Sequence, residues 1–445
     1  MKHLLTVIAA CAALLTMSAV CASPADSATW TPQSSGATGF FSGVSCVDAA
    51  RAWACGQDGT IVRTRDGGLT WDKLATDVPG DEEITDVEFA SPTCGWATGV
   101  ANAILRTTNG GTTWSSRSWL GSIYPPRLLA VSAVDASHAW IGAYETSNWM
   151  NWNTYQSVLL GTSDGKTWWS PSGVVVGDYG HGITGLDFVD VSRGWAVADN
   201  AVTSSSDGGR TWTPLLFIEV ASSFGDVSFA DAQNGWVVGE DSSYEGFVMH
   251  TSDGGQSWFR QAEDEIAAGA VGDVNAVCAV DPSTAWAVCE GGSVLHTTDA
   301  GATWARERPT TQDLNDVSFI SAETGWAVGD AGVVLRHGPA PELDDKPPTS
   351  VAIKNVSVVK GAKAALPFKV SDPLPSCGEA TVTITIKRVG KAVKSIRLTG
   401  VPTNKTSTCS FRVTLAKGGY TWTVKATDIA GNVGKVSAAK KLTVK

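Results

Sequence analysis

Carboxylates are the most numerous residues in this chain that could do chemistry. Of its 445 residues 44 are Asp or Glu, and a close pair of them could act as general acid and base in a hydrolase. Asp187 and Asp226 fall on successive strands of a repeated unit, which would bring them near each other. An Asp recurs at one position of that unit, as Asp86, Asp226 and Asp316. This recurrence favours a structural role in the unit over catalysis.

Aromatic side chains are the second group with possible chemistry, because they can stack on a ligand. The chain has 19 Trp but only 6 Tyr. Seven Trp recur in one strand of the repeat, seven open another strand, and Trp422 lies near the C-terminal end. Trp119, Trp149, Trp152 and Trp169 remain, and all four belong to one stretch.

The non-repeat aromatics of this stretch predict a platform for a sugar or a peptide, since several lie beside Asn residues. The alternative is a long loop that buries its own tryptophans as a small core. The predicted ligand-binding residues are Trp119, Tyr124, Trp149, Trp152, Tyr155, Tyr179 and His181.

The N-terminus has the features of a secretory leader. Lys2 and His3 precede an apolar run that ends at Ala22, with small or apolar residues at the positions that a signal peptidase reads. A lipoprotein cysteine at Cys21 is the alternative, but Ser18 and Val20 fit that motif poorly. We expect residues 1–22 to be removed and the protein to be secreted, either free or associated with the cell surface, with no membrane span.

Seven of the nine cysteines lie after this leader. In two cysteine pairs, one Cys precedes a repeat Trp and the other follows it. The signed sequence distances of the two cysteines from that Trp add up to the same value in both pairs, which predicts that each pair spans one hairpin. Disulfides are expected in an exported protein. The predicted disulfides are Cys46–Cys55, Cys278–Cys289 and Cys377–Cys409. Cys94 is left over as a free, partly buried thiol, and no Cys/His spacing indicates zinc.

The elements that position these residues are short strands in a sevenfold repeat. Each repeat has an alternating apolar strand, a small-Trp strand and a third strand that runs into a turn of the type T-x-D-G-G-x-T-W. Four strands in each 40 to 50 residues are typical of a β-propeller blade. The small-Trp strands centre on Trp53, Trp96, Trp140, Trp195, Trp236, Trp286 and Trp326.

The turns owe their shape to an Asp or Asn side chain that can bond nearby backbone N–H groups and to glycines that accept positive φ. A structural role is therefore predicted for Asp66, Asn109, Asp164, Asp207, Asp253 and Asp299. The seventh repeat lacks this turn and its last strand. Residues 28–32 resemble that missing strand, so we expect Trp30 to close the ring in blade seven.

The C-terminal part changes character after a proline-rich linker, residues 339–349. Residues 350–445 alternate as strands and predict a small immunoglobulin-like β-sandwich. They contain 17 Lys and Arg but 3 Asp and Glu, a net charge of +14, against −25 for residues 1–349. This basic module could attach to an anionic cell-wall polymer, or could simply be solubilised by its charge. The expected fold class is all-β, with a propeller over residues 23–338.

The turns and Gly-Trp strands resemble BNR or Asp-box repeats, and seven such blades resemble the photosystem II stability/assembly factor-like propellers. The last strands resemble bacterial Ig-like modules. The first resemblance covers residues 28–338 and implies a non-catalytic scaffold that assembles or stabilises protein complexes. The photosystem role is not carried over, because the propeller is acidic and a sandwich follows it.

The competing hypothesis is a glycan-active hydrolase, since sialidases and xyloglucanases carry the same turns. The chain has no Arg-Ile-Pro segment and no arginine cluster of the sialidase type, and it has a single propeller where xyloglucanases have two. We therefore predict a monomeric binding protein for a protein or a glycan, without cofactor or metal and without nucleic acid. Acidic loops on the expected binding face would favour a basic partner.

Overall fold

The computed structural model describes residues 29–76, 78, 82–118, 126–146, 155–171, 182–217, 223–243, 245–267, 271–341, 346–373, 378–428 and 431–445. These residues are almost entirely β-structure, as predicted. The helical segments within them are the five-residue helix α1 (Glu263–Ala267) and three single 3₁₀ turns at Val100–Asn102, Glu290–Gly292 and Asp330–Gly332. None of the helices in this part of the chain is long and apolar enough to cross a membrane.

Seven antiparallel sheets make up the N-terminal part of the described chain, and we number them as blades in chain order. A single strand, β1 (Thr29–Pro32), precedes blade one. Blade one contains β2 (Phe41–Asp48), β3 (Arg51–Gly56), β4 (Thr60–Thr64) and β5 (Asp72–Leu74). Blade two contains β6 (Ile84–Phe89), β7 (Gly95–Gly99), β8 (Ala103–Thr107) and β9 (Ser115–Ser118). Blade three contains β10 (Arg127–Ala133), β11 (Ala139–Thr146) and β12 (Tyr155–Thr162).

The other four blades each have four strands. Blade four contains β13 (Gly185–Phe188), β14 (Gly194–Ala198), β15 (Ala201–Ser205) and β16 (Thr213–Phe217). Blade five contains β17 (Ser223–Phe229), β18 (Gly235–Glu240), β19 (Gly246–Thr251) and β20 (Phe259–Gln261). Blade six contains β21 (Val274–Asp281), β22 (Thr284–Cys289), β23 (Val294–Thr297) and β24 (Ala305–Glu307). Blade seven contains β25 (Leu314–Ser321), β26 (Thr324–Gly329) and β27 (Val334–Gly338), with β1 as its fourth strand.

The blades form a closed ring around their first strands. Each of these inner strands contacts the inner strand of the next blade, and β25 of blade seven contacts β2 of blade one. The chain closes the ring as predicted, because β1 pairs antiparallel with β27 and Trp30 lies opposite His337. This arrangement is a β-propeller in which the first and last segments share one sheet.

The Gly-Trp strand explains how neighbouring blades pack. Trp53 of blade one lies fully buried with its ring stacked on Phe89 of blade two, at 3.6 Å between ring centroids. Phe89 in turn lies opposite Gly95 in its own hairpin. A Cβ at Gly95 would come within 2.6 Å of the Phe89 ring, so the residue before the blade Trp must be small. The same stacking recurs between Trp140 and Phe188 and between Trp195 and Phe229.

The Asp-box turns hold blades one to six together at their outer edges. In blade four, Asp207 accepts hydrogen bonds from the Thr211 N–H and hydroxyl, while the Ser205 Oγ accepts one from the Gly209 N–H. The glycine carbonyl of the turn also accepts a hydrogen bond from the Trp Nε1 of the preceding blade, as from Trp140 to Gly208 at 2.8 Å. The turn therefore ties the blade both to itself and to its neighbour.

Blade three differs from the four-stranded pattern expected of every repeat. Its described part has three strands, and Trp169 forms an isolated bridge with Gly161. Trp169 packs between blades three and four, under the guanidinium of Arg210. Trp169 is thus part of the structural packing and not of a ligand platform.

The C-terminal residues form two sheets packed face to face. One contains β28 (Thr349–Ala352), β30 (Lys363–Ser371) and β33 (Thr406–Arg412). The other contains β29 (Val356–Val358), β31 (Glu379–Arg388), β32 (Lys391–Pro402), β34 (Gly418–Asp428) and β35 (Lys440–Val444). Trp422, Phe368 and Ile384 from the two sheets meet in one buried core. The predicted assignment to the immunoglobulin-like class remains a prediction.

Candidate functional site

Six of the seven predicted ligand-binding residues lie outside the described residues. These are Trp119, Tyr124, Trp149, Trp152, Tyr179 and His181. The seventh, Tyr155, begins β12 and its backbone pairs with Thr146, so the structure describes only the two ends of the insertion that carries Trp149 and Trp152. The aromatic platform stays a prediction.

The loops of the propeller divide between two faces. On one face, the Asp-containing turns of five blades bond to the turn between the first two strands of the same blade, as Gly67 N–H does to the Ala50 carbonyl. We call this the turn face. On the other, the loop between the second and third strands meets the link that enters the same blade, as when the Glu290 N–H bonds to the Asp273 carbonyl. We call this the link face.

Five carboxyl groups on the inner strands point toward the centre of the ring, and we call them the channel carboxyls. Asp86, Asp226 and Asp316 lie at one register, and Glu88 and Asp187 lie opposite a blade Trp. Carboxyls from non-adjacent blades repel one another, because the charge of Asp86 acts on both Asp226 and Asp316. The five groups therefore share one central space.

The four aspartates brace the joints between blades. Asp86 accepts hydrogen bonds from the N–H of the adjacent residue Val87 and from the N–H of Val131 in blade three, both at 2.7 Å. Asp316 does the same with Val317 and with Val44, which joins blade seven to blade one. The corresponding bonds from the next blade are Phe229 N–H to Asp187 and Val277 N–H to Asp226.

Hydroxyl and thiol groups bridge the three joints between blades that no aspartate bridges. Ser45 Oγ accepts the Phe89 N–H, Ser132 Oγ accepts the Phe188 N–H, and Cys278 Sγ accepts the Phe319 N–H at 3.3 Å. Every one of the seven joints is thereby crossed by an inner-strand side chain that accepts a backbone N–H. The recurrence of Asp in the sequence is explained by this bracing.

Burial raises the pKa of all five channel carboxyls. The pKa rises to about 6 for Asp86 and for Asp187 and to about 7 for Asp226, because loss of hydration outweighs the hydrogen bonds that favour the charged form. The pKa of Asp316 lies well above its usual range for the same reason, and repulsion from the charge of Asp86 raises it further. Glu88 has a pKa of about 8, since burial and two neighbouring aspartates oppose its ionisation.

The acid–base pair suggested by Asp187 and Asp226 does not fit this geometry. Each of the two carboxyls is committed to the N–H of the next blade, so it is held in place as a joint. Glu88 is the exception, because Ser45 is the hydrogen-bond partner that lowers its pKa. Glu88 was not predicted as a functional residue, although it stands opposite Trp96, at a position where four other blades have Ser.

A second acidic group, the mouth carboxyls, lies on the link face between blades five and seven. It comprises Glu240, Asp273, Glu290 and Asp313. Burial and the charge of Asp273 raise the pKa of both Glu240 and Glu290, and the charge of Asp313 acts on Glu290. In the described chain no Lys or Arg forms an ion pair with any of the four. The mouth carboxyls therefore present uncompensated negative charge.

The two disulfides predicted in the propeller are not formed, and this prediction is wrong. Cys46 lies opposite Ala52 in the hairpin, three residues from Cys55. An odd displacement places two residues on opposite faces of a sheet. Cys46 accordingly packs against blade seven, with Sγ 3.3 Å from the Ser318 carbonyl oxygen, while Cys55 packs against blade two.

The same holds for blade six, where Cys278 lies opposite Trp286 and faces blade seven, whereas Cys289 packs toward blade five. Cys94 is free and buried before Gly95, and burial raises its pKa. Cys409 is buried in the sandwich core, and its predicted partner Cys377 lies outside the described residues. Over the described ranges, no group of three or more Cys, His, Asp or Glu is placed to hold a metal ion.

Comparisons with known proteins agree with the propeller. The family model of the photosynthesis system II assembly factor YCF48 matches residues 167–305 and 259–338. No curated protein sequence matches the chain. The resemblance to photosystem II assembly factor-like propellers is thus confirmed for the second half of the ring.

Several solved structures share this fold at low identity. One is YCF48 bound to a D1 peptide, at 19% identity and a TM-score of 0.54, over 70% of this chain and 97% of that one. YCF48 from Cyanidioschyzon merolae gives the same identity and TM-score, over 70% of this chain and 98% of that one. A GH74 xyloglucanase from Xanthomonas campestris follows at 12% identity and a TM-score of 0.51, over 93% of this chain and 81% of that one.

Proposed function

We propose that the propeller is a non-catalytic scaffold that binds an extended segment of a protein partner on its link face, in the manner of an assembly or stability factor. The likeness to the assembly-factor family supports this, as does a relative of the same fold that was solved with a peptide bound. We further propose that the protein works outside the cytoplasm, as its N-terminal leader suggests.

The observation that carries the proposal is the uncompensated charge of the mouth carboxyls. The four carboxyl groups form no ion pair with Lys or Arg among the described residues. Burial and the charge of Asp273 raise the pKa of Glu240 and of Glu290, which means that the negative charge there is poorly neutralised. A Lys or Arg side chain from a partner would relieve this repulsion and would be attracted over a distance of about 10 Å at ordinary ionic strength. The expected partner segment is therefore basic.

A hydrolase is the second candidate and has less support. The channel aspartates serve as joints between blades, and the likeness to a xyloglucanase extends to the fold alone. A glycan ligand would depend on the predicted aromatic platform, most of which lies outside the described residues. We therefore place the protein partner first.

The proposal can be tested with the full chain and fluorescent peptides of one length that are basic, neutral or acidic. We expect the basic peptides to bind, and the double variant Glu240→Gln/Glu290→Gln to bind them roughly tenfold more weakly, because one charge pair at a partly buried site contributes about 1 kcal/mol. Peptide anisotropy measures the affinity directly.

The matched control is Glu307→Gln/Glu323→Gln, which removes two charges from blades six and seven outside the mouth. This variant should bind as the parent chain does. Equal weakening by both variants would mean that only the overall charge acts, and the absence of any peptide binding at low salt would contradict the proposal. Turnover of a glycoside would instead favour the hydrolase.

A further inference from the structure

One end of the C-terminal sandwich is rich in Lys and Arg and contains no Asp or Glu. The turn at residues 359–362 bonds to Val413, and Arg388 at the tip of the β31–β32 hairpin lies over the Tyr420 ring beside the start of β34. We call this end of the domain the distal end, since Thr349, where the chain enters, pairs with Ser371 at the other end. Its exposed cations include the six residues Lys360, Lys363, Arg388, Lys391, Arg412 and Lys417.

The acidic residues of the domain are at the opposite end. Residues 350–445 contain three of them, Asp372, Glu379 and Asp428. Asp372 and Asp428 are buried, Asp428 lies opposite Ala380, and Glu379 begins β31. The charge of the distal end is thus not balanced by neighbours, and it exposes six basic groups to one side.

Two valines project from the turns of this same end. Val389 is 97% exposed and Val359 is 61% exposed. Val389 and Gly390 form a two-residue hairpin turn between the paired residues Arg388 and Lys391. Such turns favour Asn or Gly at the first position because φ is positive there, and Val389 has φ of 47°.

A β-branched apolar residue in this position is unfavourable for two reasons. Positive φ strains its side chain, and full exposure leaves its methyl groups in water. Neither cost is offset by a contact within the described domain. Exposed apolar tips between basic residues are, however, the combination by which a protein surface binds an anionic bilayer: cations attract the headgroups and apolar groups enter the interface.

We propose that the distal end of the sandwich is a docking surface for an anionic lipid bilayer, with Val389 and Val359 entering the interface between six phosphate-facing cations. The apolar tips favour a bilayer over a soluble polyanion, because a soluble polymer offers no apolar phase for them. The surface is separate from the mouth carboxyls and does not depend on the partner proposed for the propeller.

The first test is sedimentation of the full chain with vesicles at low salt. The chain should sediment with vesicles of phosphatidylcholine containing 30% phosphatidylglycerol and remain in solution with pure phosphatidylcholine. Binding should weaken by about tenfold or more when salt is raised from 50 to 200 mM, since the attraction is screened. Equal binding to both vesicles, or none to the anionic ones, overturns the proposal.

The second test uses variants that separate charge from apolar contact. Arg388→Ala/Lys391→Ala should weaken binding by roughly tenfold or more, since each basic residue near an anionic surface contributes about a factor of five. Lys369→Ala/Lys405→Ala removes the same charge at the other end of the domain and should bind as the parent does. Equal loss in both variants would overturn the assignment to the distal end.

Val359→Ser/Val389→Asn keeps every charge, and Asn suits the turn, so the domain should fold. We expect it to bind anionic vesicles several-fold more weakly. If it binds them as the parent does, and long-chain polyphosphate releases the parent from vesicles, the surface is a site for soluble polyanions and the bilayer proposal is wrong. Glu240→Gln/Glu290→Gln should leave vesicle binding unchanged, which keeps this test independent of the peptide test.

Discussion

Glu88 differs from the other channel carboxyls in what binds it. Asp86 and Asp226 each accept two backbone N–H groups, whereas the side-chain contact of Glu88 is with Ser45. Its charged form therefore has less hydrogen-bond support than that of Asp86 or Asp226, and two aspartates repel it. Ionisation of the Glu88 carboxyl therefore lowers the stability of the folded ring.

The variant Glu88→Gln should therefore stabilise the propeller at alkaline pH. The pKa of Glu88 is about 8 in the folded chain, above the value of roughly 4.3 in an unfolded one. The folded state thus binds more protons between these values, and stability falls as pH rises through this window. At pH 9 we expect the variant to gain about 1–2 kcal/mol, because the Glu88 side chain is only half-buried and solvent screens part of its charge.

Chemical denaturation at pH 5 and pH 9 measures this effect, with most of the gain expected at pH 9. Burial lowers the pKa of His250 and His296, so these two side chains favour folding at higher pH, in the opposite direction. The difference between variant and parent removes their contribution. The control Glu323→Gln, at an exposed turn, should show no such pH dependence. If Glu88→Gln has the same stability as the parent at both pH values, the role of Glu88 is refuted.

At the level of single residues, part of the site could be predicted from the sequence. The recurrence of Asp86, Asp226 and Asp316 correctly indicated a structural role, because repetition in equivalent strands is visible in one sequence. The cysteine pairs failed because hairpin register decides which face a side chain occupies, and bulges shift that register. The distances between carboxyls across the ring depend on closure of all blades and could not be read from spacing.

Among the elements, the strand that closes the ring is a short one at the edge of its sheet. β1 has four residues, and Trp30 provides its main packing, with edge-on contacts to Trp286 and Phe319 at about 5.9 and 5.8 Å. These partners belong to blades six and seven. A single side chain thus fastens the first segment of the propeller to its last two blades.

Trp30→Ala should therefore destabilise the whole propeller and not only its first strand. We expect a loss of about 2–3 kcal/mol, below the full cost of a buried Trp because Trp30 is partly exposed. A lower melting temperature of the cooperative transition would show this. Thr31→Ala, at the exposed neighbouring position, is the control, and an equal melting temperature for Trp30→Ala and the parent would contradict closure by this strand.

The elements themselves were the most predictable part of the molecule. The Gly-Trp strands, the Asp-containing turns and the closing strand each carry a local signal in residue type and spacing. Blade three was the exception, since Trp168 and Trp169 are adjacent and spacing alone cannot tell which opens the outer segment. The structure pairs Trp169 with Gly161 and packs Trp168 against Trp96.

The whole molecule has two regions of opposite charge. The net charge of −11 averages −25 for residues 1–349 and +14 for residues 350–445. The sandwich places its basic groups on the surface and its three acidic residues near one end. A molecule of this kind presents two electrostatic surfaces and not one mean value.

Retention on ion exchangers tests this separation. At pH 7 and low salt the full chain should bind an anion exchanger through the propeller and a cation exchanger through the sandwich, although its net charge is negative. Arg388→Ala/Lys391→Ala should elute from the cation exchanger at lower salt, with unchanged elution from the anion exchanger. Passage of the parent through the cation exchanger without delay would show that the positive groups are shielded.

The pairing of β1 with β27 also sets how the molecule responds to mechanical load. Thr29 lies opposite Gly338, and the chain leaves for the sandwich immediately after Gly338. Tension between the N-terminal segment and a sandwich held at a surface would reach both strands at this same end. The pair would then open like a zipper, one residue pair at a time, and the ring would yield first at its closing joint.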